Sequence, residues 1–226
     1  MEILPPAQIK VTETILGKGA FGEVRVARWR NVDVAYKRLF VKDDDDRKIK
    51  LPVEEKENGE DDQIKPDDIA KEDLTPEIEM LSKLRHPNLL LFIGITKEAT
   101  SPHPSIITEL MSYSLYDLLE VHKVEISLPD ILDISLDICN GLEYLHKYDP
   151  PIIHRDISSK NILINGNHAK IADLGQAKLF NAAAVSKQTG IPGAMAYSAP
   201  EVLTGKYTTK IDIYSFGKIS LDYFEY

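Results

Sequence analysis

The chain has 226 residues, 43% hydrophobic and 28% charged, with a formal net charge of −9. These numbers allow one large domain or two small lobes sharing a cleft, and the acidic balance argues against a nucleic-acid surface, which needs a basic face. The lone Cys139 excludes an internal disulfide. No apolar run reaches membrane-spanning length, and the start Met1-Glu2-Ile3-Leu4-Pro5-Pro6 lacks the regions of a signal peptide, so a cytoplasmic protein, or the cytoplasmic portion of a larger one, is expected.

Alternation of Ile9, Val11 and Ile15, of Val24 and Val26, and of Val32 and Val34 predicts three antiparallel strands over 8–39, with turns at Gly17, Gly19 and Gly22 and at Asn31. Residues 41–68 hold 12 acidic and 6 basic side chains, and the acidic run Asp43 to Asp46, then Glu54, Glu55, Glu57, Glu60, Asp61 and Asp62, carries few large apolar ones. Such a segment cannot bury enough surface to offset its ordering entropy and reads as a solvated insert. A helix is predicted over 75–84, where Glu77, Leu81 and Leu84 share a face, followed by strands near 89–95 and 104–110.

From there the pattern is mainly helical. Ser127 and Asp130 read as a capping box. Ile131, Leu132, Ser135, Ile138, Cys139, Leu142 and Leu145 then form an apolar stripe that ends near His146, which places Cys139 in the core. Loops are expected over 149–207 and a last helix from Thr208, with Ile211, Tyr214, Ser215 and Ile219. A β-rich first part and an α-rich second part imply two layers of different type.

Four motifs carry chemistry. Gly17-Lys18-Gly19-Ala20-Phe21-Gly22 is followed by Glu23-Val24-Arg25-Val26-Ala27-Arg28-Trp29, which alternates as a strand does. A glycine-rich hairpin is therefore favoured over a dinucleotide-binding turn, which must open a helix. Without side chains its N–H groups can approach phosphate oxygens. In Val34-Ala35-Tyr36-Lys37 a period of two puts Ala35 and Lys37 on one face, a small residue to roof a flat base and an ammonium to reach phosphates. His154-Arg155-Asp156-Ile157-Ser158-Ser159-Lys160-Asn161, then Ala172-Asp173-Leu174-Gly175, supply a carboxylate, an amide and a second carboxylate, suited to a divalent metal that takes few protein ligands and the rest from phosphate and water. Ala199-Pro200-Glu201 and Asp212-Ile213-Tyr214-Ser215-Phe216-Gly217 follow.

In this order, these motifs resemble the eukaryotic protein kinase domain from about Ile9 to Tyr226. Leu84-Arg85-His86-Pro87-Asn88 and Ala199-Pro200-Glu201 resemble its tyrosine-kinase-like branch of Ser/Thr kinases. The resemblance implies an α+β bilobal fold over 8–226. Its N-lobe (8–110) would be an antiparallel sheet with one main helix and the acidic insert 41–68. Its C-lobe (111–226) would be mostly α-helical and partial, lacking its last helices.

By the same resemblance the chain transfers the γ-phosphoryl of Mg·ATP to Ser or Thr of a protein substrate. Lys37 would bridge the α- and β-phosphates and pair with Glu77, and Asp156 would accept the substrate's hydroxyl proton. Asn161 and Asp173 would hold Mg²⁺. Leu16, Gly17, Gly19 and Gly22 would cover ATP, and Val24, Ala35 and Leu163 would sandwich the adenine. Thr108 would control access behind the base, and Glu109 to Met111 would form the hinge. Leu81, Phe92, His154 and Leu174 would stack as a spine anchored by Asp212. Phosphate placed by an upstream kinase at Ser186 or Thr189 would order its segment through Arg155.

The chain departs from the family pattern at four places. Pro76 precedes Glu77, so the helix either starts near Thr75 or kinks there. Ser158 replaces the usual Lys after the catalytic Asp, and Ala194 replaces the Thr that contacts that Asp. The chain ends at Tyr226, before the family's last helices, which leaves Glu201 without its usual Arg and suggests a fragment. The first three departures leave open an ATP-binding pseudokinase that acts as a scaffold or allosteric partner.

Overall fold

The computed structural model describes residues 2–19, 22–39, 76–98, 101, 103–180 and 195–223. The acidic insert, Ala194, Ser186 and Thr189 lie outside the described residues, as does the Glu77 side chain. The chain divides into two compact units. One is Met1–Ser82 with Phe92–Leu110; the other is Lys83–Leu91 with Met111–Tyr226.

The first unit is built on a five-stranded antiparallel sheet of order β1-β2-β3-β5-β4. Its strands are β1 (Ile9–Gly19), β2 (Gly22–Trp29), β3 (Val32–Leu39), β4 (Phe92–Thr96) and β5 (Ser105–Glu109). The expected three-strand start is present. Gly19 pairs with Gly22 at the glycine-rich end. The β2–β3 hairpin closes through Arg30 and Asn31, both at positive φ (46° and 64°), the two-residue turn whose twist matches that of the strands.

Pairing sorts the sheet into two faces. Val24 sits opposite Lys37, Val26 opposite Ala35, and Ala35 opposite Thr108. These residues share one face with Ile106, because side chains alternate along each strand. On the other face Ala27, Val34, Tyr36 and Ile107 form a core cluster with Leu4. Leu4 reaches it because residues 2–4 run along β4: Leu4 N–H donates to Ile95 O (2.8 Å), and Ile95 N–H to Glu2 O (3.0 Å). Helix α1 runs Pro76–Lys83, so the proline stands in its first turn, where a missing N–H is harmless. Ile78 and Leu81 of α1 are buried.

The second unit contains a three-stranded sheet of β6 (Tyr113–Ser114), β8 (Ile162–Asn165) and β9 (His168–Ile171), and a two-stranded pair of β7 (Ile152–Ile153) and β10 (Lys178–Leu179). Its long helices are α2 (Leu128–His146) and α3 (Lys210–Asp222). The Ser127 hydroxyl caps α2 by accepting from Asp130 N–H, as its position suggests.

The stripe expected on α2 is rotated. Ile134, Ile138, Gly141, Leu142 and Leu145 are buried, whereas Leu132 is 61% exposed and Cys139, expected in the core, is also exposed. The helix carries apolar residues on two faces, and packing against β9 selects one of them. None of the described helices is long and apolar enough to cross a membrane.

Candidate active site

The expected site residues fall into a sheet group in the first unit and a loop group in the second. In the sheet group, Val24, Ala35, Lys37 and Thr108 lie on the face opposite the Leu4 core cluster. Thr108 is buried, and its hydroxyl donates to Glu109 O (3.2 Å). Leu16 is exposed, and a Cβ added at Gly17 would meet nothing within 4 Å. Packing among the described residues therefore does not require glycine at position 17. Met111, the first residue of the second unit's main segment, is buried.

The loop group is organised by the β8–β9 hairpin. Asn165 pairs with His168 around the turn at Gly166, and Ile162 pairs with Ile171 at the open end. Ala172 N–H then donates to Asn161 O (2.9 Å), so Asn161 and Asp173 leave the hairpin from the same end. Leu163 is half-buried, on the face opposite the buried Ile162 and Ile164.

Asn161 Nδ2 donates to both Asp156 O (2.7 Å) and Asp156 Oδ2 (2.9 Å). Because both partners are acceptors, the amide's orientation is fixed by chemistry, and Oδ1 remains as the oxygen able to meet a cation. Asp173 adopts a left-handed backbone (φ 59°), and its carboxylate accepts from Gly175 N–H (3.3 Å). An amide oxygen and a carboxylate are hard donors of the kind Mg²⁺ takes when phosphates and water complete its shell. Among the described residues, no three His, Cys, Asp or Glu gather into a metal cage.

Behind this loop stands Asp212, at the start of α3 and 1% exposed. Its carboxylate accepts from His154 N–H (2.9 Å), Arg155 N–H (2.9 Å) and His146 Nε2 (2.8 Å). Two consecutive N–H groups aimed at one carboxylate hold Arg155 at φ 71°, a conformation L-residues avoid. His154 is fully buried. Its Nδ1 accepts from Asp156 N–H (3.2 Å), which makes Nε2 the protonated nitrogen donating to Ala172 O (3.0 Å). The imidazole thus ties the Asp156 loop to the Asp173 strand end.

Asp212 thereby holds the backbone of His154, one of the four expected spine residues. The part played by His146 is not legible from the motifs, because it stands eight residues before His154 at a helix end. Of the four expected spine residues, Leu81 and Phe92 are buried in the first unit and His154 and Leu174 in the second. Arg155 is 7% exposed, donates from Nη1 to Gln176 O (3.4 Å) and faces the Tyr207 ring (5.8 Å). Its Nε has no hydrogen-bond partner among the described residues. Lys160, assigned no role by the motifs, places its ammonium 4.6 Å from the centre of the Tyr116 ring.

Comparison with known proteins gives one family and many relatives. The model of the protein tyrosine and serine/threonine kinase family matches residues 10–226. The chain is 32% identical over 230 residues to serine/threonine-protein kinase VIK of Arabidopsis thaliana, covering 98% of this chain and 47% of VIK. It is 32% identical over 221 residues to serine/threonine-protein kinase CTR1 of the same plant (96% and 24%). It is 36% identical over 222 residues to dual specificity protein kinase splA of Dictyostelium discoideum (90% and 8%). The chain therefore spans less than half the length of each of these relatives.

Proposed function

The chain belongs to the protein tyrosine and serine/threonine kinase family, and from that premise we propose that it transfers the γ-phosphoryl group of Mg·ATP to Ser or Thr hydroxyls of protein substrates in the cytoplasm. The observation that carries this reading is the linked trio at the hairpin end: Asp156, the Asn161 amide that holds it, and Asp173. Phosphoryl transfer asks mainly for alignment and charge neutralisation around a loose, anionic transition state. In this reading Asn161 and Asp173 would hold Mg²⁺, which when bound would neutralise phosphate charge. Lys37 meets the α- and β-phosphates from the sheet face it shares with Val24, Ala35 and Thr108.

Asp156 Oδ2 is occupied by the Asn161 amide, and Oδ1 takes the proton of the substrate hydroxyl. The hydroxyl oxygen forms the new P–O bond as the bond to the bridging oxygen of ADP breaks. Glu77 is the proposed partner of Lys37, with α1 as its carrier. Arg155, whose buried Nε is unpaired among the described residues, is the proposed receiver of a phosphate at Ser186 or Thr189. Specificity for Ser or Thr rests on the names of VIK and CTR1; that of splA makes tyrosine transfer an outcome to test.

The deciding experiment measures radiolabel transfer from ATP to bulk histone, with phosphoamino-acid analysis. Asp156→Asn and Lys37→Met should each lower the rate by about a hundredfold or more. A rate that survives Asp156→Asn defeats the reading. The second reading, a nucleotide-binding scaffold, is favoured by Ser158, a buried serine where a cation is usual. Nucleotide binding by the unmodified protein without any transfer would select it.

A further inference from the structure

Strand β4 lies at the edge of the five-stranded sheet, and residues 2–4 run along it as a short strap. Ile3 bridges Ile95 in parallel, with Leu4 N–H donating to Ile95 O and Ile95 N–H to Glu2 O. Pro5 and Pro6 follow. Neither has an N–H, so the ladder stops there. Gln8 N–H then donates to Pro5 O (2.9 Å), and the chain turns into β1. Among the described residues, two backbone hydrogen bonds and one fully buried side chain, Leu4, hold the strap. So few contacts put it at the low-stability end of the fold, where local release precedes global unfolding.

The sheet is shaped to receive this strap. Gly94 of β4 pairs with Ile107, and a Cβ added at Gly94 would lie 2.5 Å from Glu2 O and 3.2 Å from Leu4 Cγ. Glycine is what lets the two backbones approach this closely. Leu4 in turn packs with Ala27 of β2, Val34 and Tyr36 of β3, and Ile107 of β5. Their neighbours on the same strands, Val26, Ala35, Lys37 and Thr108, belong to the opposite face, the one assigned to ATP. The three strands that carry that face therefore rest on Leu4 from behind.

We propose that residues 2–4 are a detachable strand bound to the β4 edge, and that their docking sets the affinity of the first unit for nucleotide. With the strap seated, Leu4 keeps β2, β3 and β5 at the spacing that presents Ala35, Lys37 and Thr108 together. With the strap released, a slot opens behind these residues and their face loosens. By linkage, bound nucleotide holds the strap on β4 by the same factor that the strap strengthens nucleotide binding. This inference rests on the kinase reading, which supplies the nucleotide.

The test uses the full protein and Mg·ATP, with Kd measured by equilibrium titration. Leu4→Ala empties the slot, and Gly94→Ala pushes Glu2 away from β4. Each should weaken Mg·ATP binding by about tenfold, and the double variant should be no weaker, since both act by releasing one strap. A free peptide of residues 2–6, added in excess, should restore Leu4→Ala by taking the edge from the altered strap, and should leave Gly94→Ala unchanged. Hydrogen exchange needs no variant: in the unmodified protein, exchange at the Leu4 and Ile95 amides should slow by about tenfold when Mg·ATP saturates the site. An unmodified protein that binds no nucleotide overturns the kinase reading and this inference with it. A protein that binds Mg·ATP overturns this inference alone if the folded variants keep its Kd, if their losses add, if the peptide restores neither or both, or if exchange at Leu4 and Ile95 ignores nucleotide.

Discussion

Asp212 is a carboxylate without solvent, and it survives there because three donors converge on it from two stretches of chain, one ending at His146 and one at Arg155. Removing it leaves two backbone N–H groups and an imidazole facing an empty site. Each buried group left unsatisfied costs about 1–3 kcal/mol. Asp212→Ala should therefore lower stability in urea titrations by several such increments, and should release Arg155 from its strained φ. A variant as stable as the parent would show that the carboxylate is not what holds the loop.

Two phenols give a pH prediction at the same scale. Tyr36 is pushed up to about 12, by burial first, while it donates to Glu98 (2.9 Å) and accepts from Ser105 (2.9 Å); Tyr197 stands at about the same value. A tyrosine ionises near 10 once unfolded, so the unfolded chain sheds these protons first. Their stabilising contribution is complete below pH 10 and declines as pH rises towards 12. Phenolate absorbance for both residues should appear together with loss of circular dichroism. Ionisation near pH 10 in a still-folded protein would contradict the assigned burial. Residues 154–161 and Asp212 were legible because the motifs carry them in short consecutive runs, whereas His146 and Tyr197 meet their partners across tens of positions.

At the scale of elements, α2 shows why periodicity alone chose the wrong face in part. Leu128, Leu132 and Leu136 repeat every four residues, as do the residues that are buried, and apolar spacing alone does not distinguish the two stripes. Gly141 makes the difference: a Cβ there would lie 2.9 Å from Ile171 Cδ1 and 3.0 Å from Asn88 O, so the helix approaches β9 on the glycine side. Gly141→Ala should destabilise the protein by about 1–3 kcal/mol through overpacking.

Leu132→Ala, on the exposed stripe, should change stability by no more than about 0.5 kcal/mol. Leu4→Ala, in the first unit, should cost about 2–5 kcal/mol, because it empties a site in the sheet core. Urea midpoints for the three variants would check the ranking, and a Leu132→Ala as damaging as Gly141→Ala would reverse the assignment of faces. The first three strands were read more accurately, since alternation and the turns at Gly17–Gly22 and at Asn31 bound them.

For the whole molecule, the proposed chemistry predicts linkage between nucleotide and stability. Mg·ATP at about a hundredfold excess over its Kd should stabilise the folded protein by about 2.7 kcal/mol. A thermal melt should show the shift, and Lys37→Met or Asp173→Asn should abolish most of it. A shift of equal size in both variants would place the nucleotide elsewhere. The order of strands and helices, the glycine-rich hairpin and the spacing of Asp156, Asn161 and Asp173 were determined by the sequence itself, because turns, alternation and loop motifs are properties of neighbouring residues. Tertiary structure alone decided that Leu4 completes the sheet core, that Cys139 faces out, and that Ser159, Tyr197 and Asp222 form a row. Each of these depends on surfaces brought together from distant parts of the chain, and local patterning does not encode which of several apolar or polar faces will find a partner.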